Sequence, residues 1–390
     1  MRIGFDITPL SVPRTGVGTY TACLLAQLQE KGDSIIPLSH VPHGYNWTPS
    51  ANGNRPPAPN KTLWMQLLLG RQLRGAGLDL CHFTNNVAPL RLPCPYVLTI
   101  HDMTLWLFPA YHPLRRLAAM RPLIPLVARR AAAVITVSHS AKEDIVRLLG
   151  LPPEKVTVIY EAPEQTFFQD VPQAGLADVR QTYDLPEQFL LHVGTLEPRK
   201  NLVRLLEAFA ILRHKRAIPH HLVLAGKKGW QFEAIFTAVE SLDLREAVHF
   251  LDYVPNDSLA VIYHLADALV FPSLYEGFGL PLVEAMACST PVLTSPRGAL
   301  REIAGEAAVF LDPESSASMA ETIRDTVVDR VRLAALGVRG RAHARRFSWE
   351  KTAEQTRRVY RQVLAGIPEK RCDTPPLANR SSLGESAETK

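Results

Sequence analysis

Short apolar runs of three to five residues alternate with longer amphipathic stretches along nearly the whole chain, the pattern of a parallel sheet covered by helices. In the first half the pattern predicts strands over Ile3–Ile7, Ser34–Leu38, Leu78–His82, Tyr96–Ile100 and Ala133–Val137, with helices over Val17–Lys31, Leu63–Arg74 and Ala141–Leu149. Asn46–Asn60, rich in Pro, Asn and Gly, reads as a loop. Leu114–Arg130 has helical spacing, but Pro122 and Pro125 predict a kink or break there. The alternation restarts with strands over Phe189–Val193, Leu222–Ala225, Val248–Leu251 and Ala268–Phe271. Helices over Leu202–Arg213, Phe232–Leu242, Asp257–Leu265 and Leu280–Ala287 go with them, and Trp349–Leu364 forms a late one. Two separate alternating blocks imply an α/β protein of two doubly wound domains with a cleft between them. The boundaries expected are 1–170 and 188–348, a hinge at 171–187 where turn formers cluster, a terminal helix at 349–366 and a tail at 367–390.

Composition narrows the class. At 390 residues, 46% hydrophobic and 21% charged, the chain is long enough for two cores and too apolar for wholesale disorder. The longest clean apolar run, Thr62–Gly70, has nine residues, well short of the ~20 a spanning helix needs. Met1–Asp6 lacks the apolar core of a secretory signal. The five cysteines form no C-x-x-C pair, so neither a disulfide framework nor a zinc ribbon is expected and the cytoplasm is the natural compartment. Charge is uneven. Residues 1–170 hold 16 Lys/Arg against 11 Asp/Glu, while residues 171–390 balance at 27 each. Ser34–Lys142 alone carries 11 basic residues and two acidic ones, a surface suited to phosphate, acidic lipid or nucleic acid.

Three segments could carry chemistry. Thr15-Gly16-Val17-Gly18-Thr19-Tyr20 lies between the first strand and helix, where glycine lets backbone approach an anion at a helix start. It reads equally as a tight turn, since Thr21 stands where the dinucleotide fingerprint needs its third glycine. Gly194–Asn201 puts Arg199 and Lys200 at the carboxyl end of a strand, where open α/β sheets bind ligands. Arg199 could fork onto phosphate oxygens and Lys200 could act as a point charge.

The strongest is the segment from Phe271 to Ala287. Glu276 falls in a loop and Glu284 one turn into the following helix, with Gly277, Phe278, Gly279 and Leu280 between them. The carboxylates suit hydroxyls of a sugar and a ribose, and the four N–H groups suit a pyrophosphate. An acidic first helical turn is the plainer alternative. His101 could touch substrate or pair structurally with Asp102. Ser138-His139-Ser140 reads as a helix N-cap, and Lys227-Lys228 as either nucleotide contacts or solvated charges. D-x-D, the P-loop and G-x-S-x-G are absent, so no metal clamp, P-loop ATPase or hydrolase elbow is expected.

Together these segments resemble the retaining glycosyltransferases of family 4, which have the GT-B fold. The matching strings are Gly16–Tyr20, Thr99–Asp102, Val137–Ser140, Gly194–Asn201, Ala225–Trp230, Glu276–Glu284 (the family's E-x7-E) and Phe347–Glu350. The likeness covers roughly residues 1–365 and is nearest the O-antigen mannosyltransferase branch. It implies two Rossmann-like domains, the first binding acceptor and the second the nucleotide sugar, with the last helix returning to the first domain. It gives Lys200 and Arg199 to the donor diphosphate, Glu276 and His101 to the transferred sugar, Glu284 to the ribose, and Gly16 and Gly18 to the phosphates. No metal or other cofactor is implied, and transfer is a front-face displacement without a protein nucleophile. Two departures stand out: Thr195 where relatives often have Arg, and Ser289 where many have Gly. The expected partners are a nucleotide-sugar donor, GDP-mannose by the branch resembled, and a glycan or lipid-linked acceptor. Basic amphipathic segments Leu63–Arg74 and Leu114–Arg130 fit peripheral attachment to an anionic leaflet on the cytoplasmic side of the inner membrane. No nucleic-acid module is present. A cytosolic ligand sensor and another GT-B enzyme, such as a UDP-GlcNAc 2-epimerase, are the competing readings.

Overall fold

A computed structural model describes residues 1–12, 14–41 and 61–366; the segments expected to be a loop (Asn46–Asn60) and a tail (367–390) lie outside the described residues. Six parallel strands form the first sheet: β1 (Arg2–Asp6), β2 (Ser34–Leu38), β3 (Leu80–Phe83), β4 (Tyr96–Thr99), β5 (Ala133–Thr136) and β6 (Val156–Val158), in the order β2-β1-β3-β4-β5-β6. Six more form the second: β7 (Phe189–Val193), β8 (His221–Ala225), β9 (Val248–Leu251), β10 (Ala268–Phe271), β11 (Val292–Thr294) and β12 (Val309–Phe310), in the order β12-β11-β10-β7-β8-β9. Most strands are short and buried on both faces, as a sheet sandwiched between helices requires. This is the expected pair of Rossmann-like units. In each sheet the order reverses at one point, between β1 and β3 and between β7 and β10, and those crevices position the site.

The sequence pattern missed the shortest strands, β6, β11 and β12, because two or three residues carry no periodicity. The expected hinge 171–187 holds a helix, Gln173–Thr182, which packs on helix Asn256–Leu265 of the second unit. Leu114–Arg130 is one helix, not a broken one, although Pro122 and Pro125 forfeit the bonds to the carbonyls of Ala118 and Arg121. Its stripe of Leu117, Ile124, Val127 and Ala128 is buried in the first domain's core, and that packing holds the helix together. Ser289 sits at φ 62°, which is why glycine suits this position. The helix Trp349–Ala365 returns to the first domain. Its Tyr360 Oη lies 2.6 Å from His82 Nδ1, and Trp349, Ala353 and Val359 join the core under β1.

Candidate active site

The carboxyl ends of both sheets face one cleft of about 780 Å³. After β7 the chain makes a 3-10 turn, Pro198–Lys200, that ends in Asn201 at φ 60°. The Asn201 side chain ties this turn down by donating to the carbonyls of Pro272 (3.3 Å) and Pro313 (2.7 Å). The turn therefore lies beside the loop after β10, at the switch point of the second sheet. There Lys200 Nζ sits 2.7 Å from Glu276 Oε1, and Arg199 Nη1 sits 2.7 Å from Glu276 Oε2. Lys200 also lies over the Phe271 ring, 4.7 Å from its centre. Burial opposes ionisation of Glu276, but Arg199 and Lys200 outweigh it and hold the carboxyl at about 2. The guanidinium of Arg199 is spent mostly within the protein. It donates to the Tyr275 carbonyl and, through Nε and Nη2, to Glu197 Oε1 at 3.0 and 2.5 Å. Its fork thus grips Glu197 and Glu276, while Lys200 grips Glu276 alone, and both cations line the cleft.

Gly279, at φ 101°, turns the loop into helix Leu280–Ala287. The N–H groups of Gly277, Phe278, Gly279 and Leu280 find no acceptor among the described residues, so they form a cradle at a helix start. Glu284 is buried at 8% exposure and accepts from Tyr263 Oη at 3.1 Å. Burial, aided by Glu164 and Glu161, pushes its carboxyl up to about 8, so at neutral pH it carries a proton it can donate. Gly16 faces this helix from the first domain: a Cβ there would sit 3.7 Å from Leu280 Cδ1. Gly18 does not line the cleft. It is buried in the first turn of helix Gly16–Glu30, against Arg14 and the Pro9 carbonyl, so the expectation that it faces phosphate is not met. Thr195, Lys227 and Lys228 do line the cleft, with Lys228 lying over Phe232 and Phe236.

His101 stands on the opposite wall, after β4. Its partner is not Asp102, whose Oδ1 instead accepts from the backbone and hydroxyl of Thr104 (3.0 and 2.7 Å). Its Nδ1 lies 3.2 Å from Glu161 Oε1 and its Nε2 2.8 Å from the Thr84 carbonyl. Sequence reasoning missed Glu161 because β6, which delivers it, is three residues long; an acid just past a strand end was the available signal. The two walls touch at Gly277, whose added Cβ would meet the His101 carbonyl at 2.0 Å. Ser138 caps its own helix through Ala141 N–H and donates to the Gly277 carbonyl at 2.7 Å. Tyr275 Oη donates to Asp144 at 2.9 Å, and Glu302 accepts from the N–H groups of His139 and Ser140.

A cation pair on a carboxylate, an unpaired amide cradle and a neutral acid in a two-domain cleft are suited to a phosphorylated sugar. Comparison with known proteins agrees. Residues 14–162 match the family model "Glycosyltransferase Family 4" and residues 179–343 match "Glycosyl transferases group 1". The chain is 30% identical over 388 residues to O-antigen chain mannosyltransferase B of Escherichia coli, covering 93% of this chain and 100% of that protein. Its fold is similar to that of sucrose-phosphate synthase from Thermosynechococcus elongatus, with TM-score 0.73, 22% identity and coverage of 94% of this chain and 100% of the other. It is likewise similar to Anabaena HepE in complex with UDP-glucose, with TM-score 0.73, 19% identity and coverage of 94% and 100%. Sequence likeness along nearly the full length, on this fold and around this cleft, shows that the chain is a glycosyltransferase belonging to family 4.

Proposed function

We propose that the enzyme transfers mannose from GDP-mannose to a lipid-linked glycan during O-antigen synthesis, with retention of configuration and without a metal. The observation that carries this reading is Lys200 beside the unpaired N–H groups of Gly277–Leu280, with Glu276 held between Lys200 and Arg199. Lys200 and the amide cradle bind the donor diphosphate and offset the charge that grows on it as the sugar departs. Glu276, ionised and rigidly held, accepts from sugar hydroxyls, and Arg199 keeps it in place. Glu284 serves the ribose diol, as donor and acceptor at once. Glu276 is a poor nucleophile with both oxygens on cations, which favours a front-face displacement in which the acceptor proton leaves with the phosphate. The choice of mannose rests on the likeness to the Escherichia coli mannosyltransferase.

Thermal-shift binding of GDP, UDP, dTDP, ADP and CDP in EDTA tests the donor. GDP alone should raise the melting temperature clearly. Stabilisation by another nucleotide overturns the GDP assignment, and stabilisation by none overturns the site. Proton NMR of the transferred anomeric centre, in EDTA, should show retention.

The basic face supports attachment to a membrane surface. Among the described residues no helix is long and apolar enough to cross a membrane. Leu63, Leu67, Leu68, Leu114 and Leu126 nevertheless lie exposed on the first domain, and Arg115, Arg116, Arg129 and Arg130 are exposed on the same helix as the last two. Exposed leucines among cations suit an anionic leaflet, each cation contributing about 1 kcal/mol near the surface. The protein should co-sediment with anionic vesicles at low salt and less at high salt. No binding at low salt removes this part of the reading.

A further inference from the structure

His101 is 7% exposed, and its ring nitrogens face a backbone carbonyl, which accepts, and a carboxyl, which accepts when ionised. Nε2 lies 2.8 Å from the backbone carbonyl of Thr84, and Nδ1 lies 3.2 Å from the Glu161 carboxylate. A neutral imidazole has one N–H and one lone pair, so it would set that lone pair against an oxygen. With Glu161 ionised, only the doubly protonated ring satisfies both contacts. The neighbouring His82 shows the opposite arrangement. Its nitrogens face the hydroxyls of Tyr360 (2.6 Å) and Thr99 (2.8 Å), which can donate or accept, so a neutral ring is satisfied there. Burial, with the charge on His101 adding to it, drives His82 down to about 3. Burial also works against a charged His101, but Glu161 outweighs it, and the Thr84 carbonyl and Asp102 add to the net rise.

Arg14 and Glu284 line the cleft with His101 and Glu161, and Arg14 lies 3.8 Å from Glu164. Tyr20 meets the ring edge-on at 4.8 Å, Asp102 adjoins it in sequence, and His82 behind it stays neutral. From the second domain the backbone of Gly277 packs on the His101 carbonyl. Glu161 itself is only 4% exposed.

We propose that Glu161 is a positioning residue that keeps His101 doubly protonated, so that the ring serves glycosyl transfer as a fixed cation in the cleft wall and not as an acid or base. The role in transfer rests on the function proposed above; the charge state does not. With both N–H groups committed inside the first domain, His101 has no lone pair with which to take the acceptor proton. The residue lines the cleft, and its backbone carbonyl packs on Gly277 at the edge of the amide cradle, a contact made only when the two domains meet.

The test is NMR of the full-length protein carrying 13C,15N-histidine, with the His101 signal assigned by His101→Asn. In the wild type both His101 nitrogens should show imidazolium shifts at neutral pH, with a midpoint above the ordinary ~6.5. Glu161→Gln should lower that midpoint by about one unit or more, because its amide N–H can donate to a neutral Nδ1. Glu161→Asp keeps the carboxylate and should retain the charged ring. A neutral His101 at pH 7 in the wild type, or an unmoved midpoint in Glu161→Gln, overturns the proposal. Turnover supplies a second readout. Glu161→Gln should lose at least tenfold at pH 7.5 and recover as the pH falls through its own His101 midpoint, a recovery that mere structural damage does not give. A flat ratio of variant to wild-type rates across pH overturns the role in transfer. Absence of turnover by the wild type with every nucleotide sugar overturns the enzymatic reading and leaves the NMR result standing.

Discussion

Lys200→Ala lowers turnover by roughly 10²–10³-fold, about 3–4 kcal/mol of transition-state stabilisation. Lys200 is 6% exposed, so its charge acts through a medium that screens it poorly. The charge growing on the departing phosphate is where such a cation matters most, so kcat should fall more than donor affinity. Glu276 keeps Arg199 at 2.7 Å, so the carboxylate stays paired when the lysine is removed. Lys200→Met separates charge from packing, since methionine can still cover the Phe271 ring that Lys200 overlies at 4.7 Å. Both variants should lose a similar factor in steady-state assays while thermal unfolding confirms that they are folded. Wild-type rates in either would remove Lys200 from the reaction.

Gly277→Ala should cost on the order of 10²-fold through misplacement of the two walls. A Cβ at this position would lie 2.0 Å from the carbonyl oxygen of His101 and 2.9 Å from its carbon. Both obstacles are backbone, so no side-chain rotation relieves them. Gly277 is not among the residues at positive φ, so alanine fits the loop itself and the second domain should fold normally. What the methyl group prevents is the approach of one domain to the other. The Ser138–Gly277 bond of 2.7 Å would be lost with it. Small-angle scattering should report a larger radius of gyration for the variant, alongside the loss in rate. An unchanged radius with full activity would mean that this contact is not needed for transfer.

The alternation of apolar and polar positions was enough to place nine strands and most helices that build the two sheets. That signal is local. Phe189–Val193 and Ala268–Phe271 read as buried strands because a sheet covered on both faces needs continuous apolar runs. The same reasoning failed at β6 and β12, where three and two residues are too few for any period. It also failed at Leu114–Arg130, where the two prolines argued for a break and a buried stripe prevailed.

The site divides in the same way. Arg199, Lys200, Glu276 and Glu284 were legible because charged residues beside glycine at strand ends are unusual in sequence and sit where α/β sheets bind ligands. Their division of labour was not legible. Arg199 and Lys200 are adjacent and both cationic, and both grip Glu276, but only Arg199 also grips Glu197. Glu161 and His101 are sixty residues apart, and only the pairing of β4, β5 and β6 brings them together. Local sequence determined which segments form strands and helices, and which strand ends carry charge, because those follow from periodicity and backbone preference. How the two cations divide their contacts, and which oxygens each histidine nitrogen meets, was decided by packing, because those oxygens come from distant parts of the chain.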